Sequence, residues 1–386
     1  MNSQHLGMTA EEHDEFRLVV RDFAQREIAP FAADWDRENR FPIEVIPKMG
    51  EIGLFGLIFP EEWGGGGGDF TSLCIAIEEL GRVDQSIGIT LSAGVGLGIN
   101  PIYIYGTDEQ KKMFLPDLVS GRALGAFALT EPDGGSDAGA TSTRAKFSES
   151  KRTWTLNGAK SFITNSGTEI TSVITATARV EDGGISAFLV PSGTPGLIVE
   201  PSYRKLGWHA SDTHGLTFAD CEIPEENLLG RSGEGFHNFL TMLDGGRIAI
   251  SALALGLAQT CLDLSVEYAK SRNAFGGPIG RFQGISFALA DLAVSVENSR
   301  NITYKAARLK DEGKPFKEIA AMAKLYSTES AMEAARLATQ VFGGSGYIED
   351  LPVARFYRDA KVLEIGEGTS EIQRLVIARG LGLPVG

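Results

Sequence analysis

The sequence is poor in residues that build disulfide frames and metal sites. Its 386 residues include three cysteines, Cys74, Cys221 and Cys261, which are widely spaced and form no CxxC pair. A sparse, odd set of this kind predicts reduced, buried thiols rather than disulfide bonds. The five histidines form no HExxH motif and no cluster with cysteine, so we expect no metal site.

Long apolar runs and an excess of basic residues are also lacking. No run of about 18 apolar residues occurs, so we expect no membrane insertion, and the most apolar stretch, 248–258, is interpreted as a buried helix. The formal net charge of −14 argues against a nucleic-acid partner, although local Arg and Lys residues could still bind an anionic substrate. The polar, acidic residues 1–16 do not resemble a secretory or transit peptide, which predicts a cytoplasmic protein.

Neither common phosphate-binding loop is present, because no GxGxxG follows a predicted strand and no GxxxxGK[ST] occurs. A nucleotide cofactor would therefore be held in another way, which weakens any nicotinamide-dependent interpretation. The composition, 43% hydrophobic and 22% charged, is typical of a soluble globular protein, and the length suits two or three domains.

What the sequence does contain is a change of hydrophobic period along the chain. Residues 1–124 follow the helical period and predict an N-terminal helical domain. Residues 125–233 hold short alternating segments with no helices between them, which predicts an antiparallel sheet or β-barrel. Residues 234–386 return to the helical period and predict a four-helix bundle, so the fold class is α+β.

Local signals add detail to these regions. Capping-box patterns predict helix starts at Thr9 and Thr107, and Asn157-Gly158 predicts the turn of a β-hairpin. In the last region the predicted helices are 235–271, 282–311, 316–342 and 351–379.

Two glycine-rich segments are candidates for ligand contact. "FALTEPDGGSDAGA", residues 127–140, lies where the helical and sheet regions meet, and its small residues and hydroxyls could donate hydrogen bonds to a planar polar ligand. A turn-rich crossover is the alternative. "QVFGGSGYIEDLPVARFYRDA", residues 340–360, could let a ligand backbone or phosphate approach closely, or it could be an ordinary turn between helices.

A third segment, "LEIGEGTSEIQRLVIARG", residues 363–380, sets Glu367 between Gly366 and Gly368, just before a predicted helix. A carboxylate on backbone that carries so few side chains suits a proton-abstracting base, because substrate and cofactor can come close. The alternative is an acid stabilised by the helix dipole.

These three segments, in this order, resemble the acyl-CoA dehydrogenases, a family of FAD-dependent flavoenzymes. The resemblance runs nearly end to end and includes "KLGWHASDTHGLTFADCEIPEENLLG" and "LDGGRIAISALALGLAQ". It implies a helical domain, a β-barrel domain and a four-helix bundle. It also implies oxidation of an acyl-CoA to a trans-2-enoyl-CoA, with electrons passed to an electron-transfer flavoprotein, by a homotetramer built as a dimer of dimers.

The resemblance implies that FAD lies between the sheet domain and the bundle, and that a second subunit completes its site. Thr369 and Ser370 would begin a helix whose N-terminus can favour a phosphate. Taken alone, Arg272 could be a helix C-terminal charge and Gln283 a surface polar group. The implied FAD contacts are Phe127, Leu129, Thr130, Gly135, Ser136, Phe162, Ile163, Thr164, Arg272, Phe275, Gln283, Gln340, Gly343, Gly344, Thr369 and Ser370.

For the substrate, the resemblance implies Glu367 as the base, with its backbone N–H and a flavin ribityl hydroxyl on the thioester oxygen. Some relatives carry the base on the helix of "LDGGR", immediately before the arginine, where this chain has Gly246. That glycine favours Glu367 as the sole base. The implied substrate contacts are Ser136, Asp244, Arg247, Gly366 and Gly368, although Asp244 and Arg247 could simply be a local helical pair.

Two departures from the family pattern bear on specificity. Gly366 stands where the family commonly has tyrosine, which leaves space near the acyl chain and predicts a short or branched substrate. Phe162 replaces a frequent tryptophan beside the flavin and keeps an aromatic face. Two other functions stay open: an acyl-CoA oxidase that passes electrons to oxygen, and a non-catalytic acyl-CoA- or flavin-binding protein.

Overall fold

A computed structural model describes residues 8–181 and 184–385. The described chain runs from helices to a sheet and back to helices, as predicted. The N-terminal helices are α1 (Ala10–Glu27), α2 (Ala32–Glu38), α3 (Val45–Glu51), α4 (Phe70–Gly81), α5 (Gln85–Ala93), α6 (Asn100–Tyr105) and α7 (Asp108–Val119), with a π-helical turn at Gly94–Ile99 between α5 and α6.

Both predicted capping boxes are confirmed. At the start of α1, Thr9 Oγ1 accepts from the Glu12 backbone N–H at 3.3 Å, and the Glu12 carboxylate accepts from the Thr9 N–H at 2.7 Å. Thr107 and Gln110 make the same reciprocal pair at the start of α7. Each box satisfies backbone donors that a helix N-terminus otherwise leaves without partners.

The middle strands form one largely antiparallel sheet. Its order is β6-β7-β3-β2-β4-β5-β8, and β1 pairs in parallel with β4. Within the described residues β6 and β8 do not pair, so the predicted barrel is wrong: the sheet is open. The strands are β1 (Leu124–Ala128), β2 (Arg144–Ser148), β3 (Thr153–Thr164), β4 (Thr171–Arg179), β5 (Ile185–Pro191), β6 (Leu197–Val199), β7 (Thr213–Pro224) and β8 (Leu228–Leu229).

The hairpin predicted at Asn157-Gly158 is also wrong, because β3 runs straight through both residues. The pairing of β3 with β7 shifts there, and Gly158 has φ +148°. A Cβ at Gly158 would lie 2.6 Å from Thr143 Oγ1, and the Asn157 side chain exchanges hydrogen bonds with Asp220 on β7. The dipeptide therefore makes a β-bulge rather than a turn.

The last region, as far as the structure describes it, contains three long α-helices and two shorter ones. The prediction of a single helix at 351–379 is wrong. The loop that contains Gly366, Glu367 and Gly368 divides this segment into two helices. A small hairpin of β9 (Asn273–Ala274) and β10 (Gly277–Pro278) separates the first two helices. The helices are α8 (Gly235–Ser271), α9 (Gln283–Asp311), α10 (Lys317–Phe342), α11 (Pro352–Leu363) and α12 (Ser370–Gly380).

Helix α8 is the centre of the core. The predicted buried stretch 248–258 lies on it and is buried throughout. Glycines bring α4 against it: a Cβ at Gly81 would lie 2.7 Å from Leu253 Cδ1, and one at Gly256 would lie 2.4 Å from the Glu78 carbonyl oxygen. Among the described residues, Gln85–Tyr105 and α8 are long and apolar enough to cross a membrane by composition, but 72% of each apolar window is buried inside the protein.

A buried ionic network joins α1, α4 and α9. Glu78 and Glu79 on α4 are almost fully inaccessible. Arg17 Nη1 donates to Glu78 Oε2 at 2.9 Å and to Glu79 Oε1 at 2.6 Å, and Arg21 Nε donates to Glu79 Oε2 at 2.8 Å. From α9, Arg300 Nη1 donates to Glu78 Oε1 at 2.7 Å. Both buried carboxylates are thus neutralised from other helices.

The predicted buried thiols are confirmed. Cys74, Cys221 and Cys261 are all free and buried, and burial raises the pKa of each thiol. They are therefore poor nucleophiles at neutral pH. Within the described ranges, no group of three or more His, Cys, Asp or Glu side chains is placed to hold a metal ion.

Candidate active site

Glu367 lies in a short loop between α11 and α12. The loop is closed by hydrogen bonds from the Gly366 N–H to the Val362 carbonyl at 2.8 Å and from the Ser370 N–H to the Glu364 carbonyl at 3.0 Å. Glu367 has φ +51°, a left-handed conformation that a glutamate rarely adopts. Such strain persists only where the surroundings enforce it, and it is common at functional sites.

The Glu367 carboxylate rests on bare helix backbone. A Cβ added at Gly246 on α8 would lie 1.8 Å from Glu367 Oε2, so the carboxylate occupies the space that any larger residue would fill. Glu367 Oε2 is inaccessible and has no hydrogen-bond partner among the described residues. The structure therefore gives a physical reason for glycine at this position.

This environment tunes the acidity of Glu367. Burial raises the pKa of its carboxyl to about 7, although the positive charges of Lys324 and Arg247 act in the opposite direction. Desolvation disfavours the charged form of a carboxyl, and nearby cations favour it. A carboxyl with this pKa can take up or release a proton close to neutral pH, as a general base requires.

Asp244 and Arg247 form the predicted local pair on α8. Arg247 Nη1 donates to Asp244 Oδ1, and Arg247 is buried with no partner for its Nε among the described residues. Arg247 directly follows Gly246, and its positive charge acts on the Glu367 carboxylate. Of the predicted substrate contacts, Arg247, Gly366 and Gly368 thus lie around the base, and Asp244 is joined to them through Arg247.

The predicted flavin segments of the sheet meet each other and approach α8. The Ser161 N–H donates to the Thr130 carbonyl at 2.8 Å, which joins the end of β1 to the end of β3. The Phe127 ring stacks on Phe239 of α8, with centroids 3.9 Å apart. Phe239 is two turns from Gly246, roughly 11 Å along the helix. These segments therefore lie against α8 about two turns from the glycine that contacts Glu367.

Phe162 is turned outward by a second irregularity in β3. The pairing with β7 shifts between Lys160 and Ile163, and Phe162 has φ +62°. Its ring is 67% exposed and lies 5.2 Å from that of Tyr203. Bulges re-aim side chains in this way beside ligand sites.

The other predicted contacts on the sheet divide into open and buried positions. Gly135 and Ser136 are exposed, and Thr130 and Thr164 are half-buried. The side chains of Leu129 and Ile163 belong to the core, so a contact of these two residues with a ligand would be made through their backbone.

Sequence reasoning missed a buried ion pair behind the flavin segments. Lys160 Nζ donates to Glu131 Oε1 at 2.8 Å, to the Leu129 carbonyl at 3.2 Å and to Thr177 Oγ1 at 3.0 Å. Burial lowers the pKa of Lys160 to about 8. Burial would raise the pKa of Glu131, but hydrogen bonds from Lys160 and Ser142 bring it down to about 2. The sequence signal that could have revealed this ion pair is a lysine at a position of β3 whose side chain points into the protein.

Six of the predicted cofactor contacts lie at the other end of the bundle. Tyr268 stacks on Phe342 with centroids 4.2 Å apart, which sets the end of α8 beside the end of α10. That end is about 27 Å along α10 from Lys324, which adjoins the Glu367 loop. One chain does not bring these residues to its own base. The residues are Arg272, Phe275, Gln283, Gln340, Gly343 and Gly344, all exposed.

The residues present fit a flavin dinucleotide. Phe162 offers a free aromatic face, and Phe275 is 90% exposed with φ +52°. Cβ positions at Gly135, Gly343 and Gly344 would meet nothing within 4 Å, which leaves room for a ligand. Close to the base, the buried Ser370 Oγ has no partner among the described residues, and Thr369 caps α12 by accepting from the Ile372 N–H at 3.3 Å.

Comparison with known proteins agrees with this geometry. Three family models match in order: "Acyl-CoA dehydrogenase, N-terminal domain" at residues 10–122, "middle domain" at 126–221 and "C-terminal domain" at 233–382. The chain is 49% identical over 373 residues to the probable acyl-CoA dehydrogenase YngJ of Bacillus subtilis, covering 96% of this chain and 98% of YngJ.

Solved structures show the same fold. Butyryl-CoA dehydrogenase from Megasphaera elsdenii superposes with a TM-score of 0.93 at 42% identity, covering 99% of this chain and 100% of that one. A chain described under "Electron transferring flavoprotein of Acidaminococcus fermentans: Towards a mechanism of flavin-based electron bifurcation" superposes with a TM-score of 0.94 at 43% identity, covering 99% of both. The chain belongs to the acyl-CoA dehydrogenase family, whose members are FAD-dependent oxidoreductases.

Proposed function

We propose that Glu367 is the base with which this acyl-CoA dehydrogenase converts a short-chain acyl-CoA to the trans-2-enoyl-CoA. The observation that carries the proposal is the seating of the Glu367 carboxylate on Gly246, with Oε2 buried and unpaired. A purely structural acid at a helix N-terminus would accept hydrogen bonds from backbone N–H groups. The raised pKa of Glu367, about 7, suits proton abstraction near neutral pH.

In the reaction, a Glu367 oxygen takes the α-proton of the thioester. The electron pair of that C–H bond forms the new double bond between the α- and β-carbons. FAD supplies the acceptor for the hydride that leaves the β-carbon. Because the α-hydrogen of a thioester is weakly acidic, this step needs stabilisation of negative charge on the carbonyl oxygen.

The backbone of Glu367 provides one donor for that oxygen. The Glu367 N–H donates to no acceptor in the part of the chain that the structure describes. Glu367 lies outside both adjacent helices, so its N–H takes no part in their regular hydrogen bonding. The strained conformation thus presents both the base and a preorganised donor from one residue. A single donor of this kind is often worth about 3 kcal/mol of transition-state stabilisation.

Substrate size follows from Gly366 and from the similar proteins. A Cβ at Gly366 would meet only the Val362 carbonyl oxygen, at 3.4 Å, so the start of a side chain at this position is uncrowded and glycine leaves that space beside the base unfilled. Butyryl-CoA dehydrogenase, one of the similar structures, acts on a four-carbon acyl group by its name. We infer a short acyl chain, and the open space also admits a branched one.

Assembly and electron transfer complete the proposal. The exposed Arg272 and Gln283 contacts lie far from the base of their own chain, which supports a cofactor shared between subunits of a homotetramer. The similarity to the chain described with an electron-transferring flavoprotein supports such a protein as electron acceptor. An experiment separates this function from that of an oxidase. The enzyme is first reduced anaerobically with acyl-CoA, and the rate of peroxide formation is then compared with the rate of turnover with the electron acceptor.

The role of Glu367 is tested by Glu367→Gln. This variant keeps the shape of the side chain and cannot take a proton, so it should retain FAD and bind acyl-CoA but lose more than 99% of flavin bleaching, as about a hundredfold loss of general-base catalysis implies. Glu371→Gln, at an exposed acid in the first turn of α12, is the matched control and should bleach normally. Near-normal bleaching by Glu367→Gln would place the base elsewhere.

Substrate size is tested with a panel of thioesters. Values of kcat/KM for straight acyl chains of increasing length and for branched chains should be greatest for the short ones. A clear preference for long straight chains would reject the inferred specificity but leave the role of Glu367 intact.

A further inference from the structure

Lys324 is a buried cation that the reaction described above does not use. It lies in the middle of α10, and none of its surface is accessible. Its neighbours on the same helix are small, with Ala320, Ala321 and Ala323 all buried. Burying an ammonium among such residues is unfavourable unless something compensates it.

The compensation comes from the Glu367 loop. Lys324 Nζ donates to the Gly368 carbonyl at 2.8 Å, and this is its sole hydrogen bond within the described residues. The same carbonyl accepts from Gln373 Nε2, also at 2.8 Å. Two buried side chains therefore hold the Gly368–Thr369 peptide of the Glu367 loop, and a Cβ at Gly368 would lie 2.7 Å from Gln373 Nε2.

The charges around Lys324 also point to this loop. In the described chain Lys324 makes no ion pair with a carboxylate. The negative charges of Glu367, Glu364 and Glu371 nevertheless raise the pKa of Lys324, and the positive charge of Arg247 lowers it. Burial lowers the pKa of Lys324 to about 8, and Glu367 is the group that most opposes this shift. In return, Lys324 is the group that most opposes the raised pKa of Glu367, ahead of Arg247.

Resting on the proposed role of Glu367, we propose that Lys324 is a positioning residue for the base: it anchors the loop through the Gly368 carbonyl, and its positive charge keeps the Glu367 carboxylate ionised. It does not touch the substrate. Arg247 is paired with Asp244, whereas Lys324 has no carboxylate partner within the described residues, and of the two cations Lys324 acts more strongly on Glu367. Removing the charge should make Glu367 harder to ionise and leave the chemistry of the ionised base intact.

The experiment measures the rate of flavin bleaching by acyl-CoA as a function of pH in a single turnover. Lys324→Met should move the acidic limb of this profile upward by about one pH unit or more, as expected for losing one nearby charge. At a pH below the limb the rate should fall about tenfold, and at high pH it should recover. Gln373→Leu removes the other donor to Gly368 without removing charge and should leave the midpoint where it is.

Lys361→Met is the matched control for net charge. Lys361 is exposed, on α11, and donates to Glu364 Oε2 at 2.6 Å. Losing its charge should not move the limb. If Lys324→Met does not fold, Lys324→Arg and Lys324→Gln test the same effect of charge. The midpoint of the acidic limb should be normal in Lys324→Arg and raised in Lys324→Gln. Equal midpoints for these two variants, or an unshifted Lys324→Met, overturn the proposal.

A second readout does not depend on turnover. The infrared band of the protonated Glu367 carboxyl, identified by its loss in Glu367→Gln, should persist to higher pH in Lys324→Met than in the unmodified protein. The two proposals fail separately. If Glu367→Gln stays active, the base is wrong whatever Lys324 does; if Glu367→Gln is inactive and the band does not move, only the role of Lys324 is wrong.

Discussion

Gly246→Ala tests whether the absence of a side chain at Gly246 on α8 is needed to position the Glu367 carboxylate. The added Cβ would lie 1.8 Å from Glu367 Oε2, whereas contacts below 3.0 Å are essentially never found, so the carboxylate must retreat by about 1.2 Å. A misplacement of about 1 Å at a reacting group can cost about a hundredfold in rate, which corresponds to about 2.7 kcal/mol of activation free energy. We therefore expect flavin bleaching to slow about a hundredfold.

The stability of the Gly246→Ala variant should stay nearly unchanged although its activity falls. Alanine is favoured over glycine within a helix by about 1 kcal/mol, which offsets strain at the new contact. The urea midpoint and the bound FAD should therefore stay close to those of the unmodified protein. The adjacent Gly245→Ala is the matched control, because its Cβ would meet Lys310 only at 3.6 Å, an ordinary contact. Bleaching by Gly246→Ala within threefold of Gly245→Ala would refute the reasoning.

Further predictions concern pH, the sheet and the cofactor. Because the pKa of Glu367 is raised to about 7, the carboxyl is protonated below that pH, and the bleaching rate should fall about tenfold per unit there. Lys160→Met leaves Glu131 buried without its cation and should lower the free energy of unfolding in urea by about 3–5 kcal/mol, whereas the exposed Lys151→Met should change it by less than about 1 kcal/mol. Arg272→Ala should reduce the FAD retained on gel filtration; unchanged content would contradict its contact with FAD.

The sequence allowed the helices to be predicted where local chemistry decides them. Thr9 and Thr107 cap their helices through partners three residues away, so the pattern alone suffices. The prediction of a hairpin turn at Asn157-Gly158 was wrong because tertiary contacts decide the conformation of this dipeptide. Asp220 and Thr143, which are distant in sequence, favour a bulge over a turn. Closure of the sheet likewise depends on how strands meet in space.

For the site, the segment around Glu367 and the pair on α8 were predictable from their motifs. The direct contact between Gly246 on α8 and the Glu367 carboxylate joins a helix to a loop that is distant in sequence, so the spacing of residues does not reveal it. Lys160 and Lys324 were missed for the same reason, since each is a lysine whose burial depends on the fold. The cofactor contacts at the far end of the bundle remain predictions, because they lie far from Glu367 of their own chain.

The ionic network around Glu78 and Glu79 has a consequence for how the protein unfolds. The family models divide the chain into an N-terminal and a C-terminal helical domain, yet Arg17 and Arg300 reach these two acids from opposite ends of the sequence. Separating the two regions would remove one of the two cations, Arg300, that neutralise the buried Glu78 carboxylate on α4. The two helical regions should therefore melt as one cooperative unit, and a fragment that ends before α9 would lack the partner on which its own core depends.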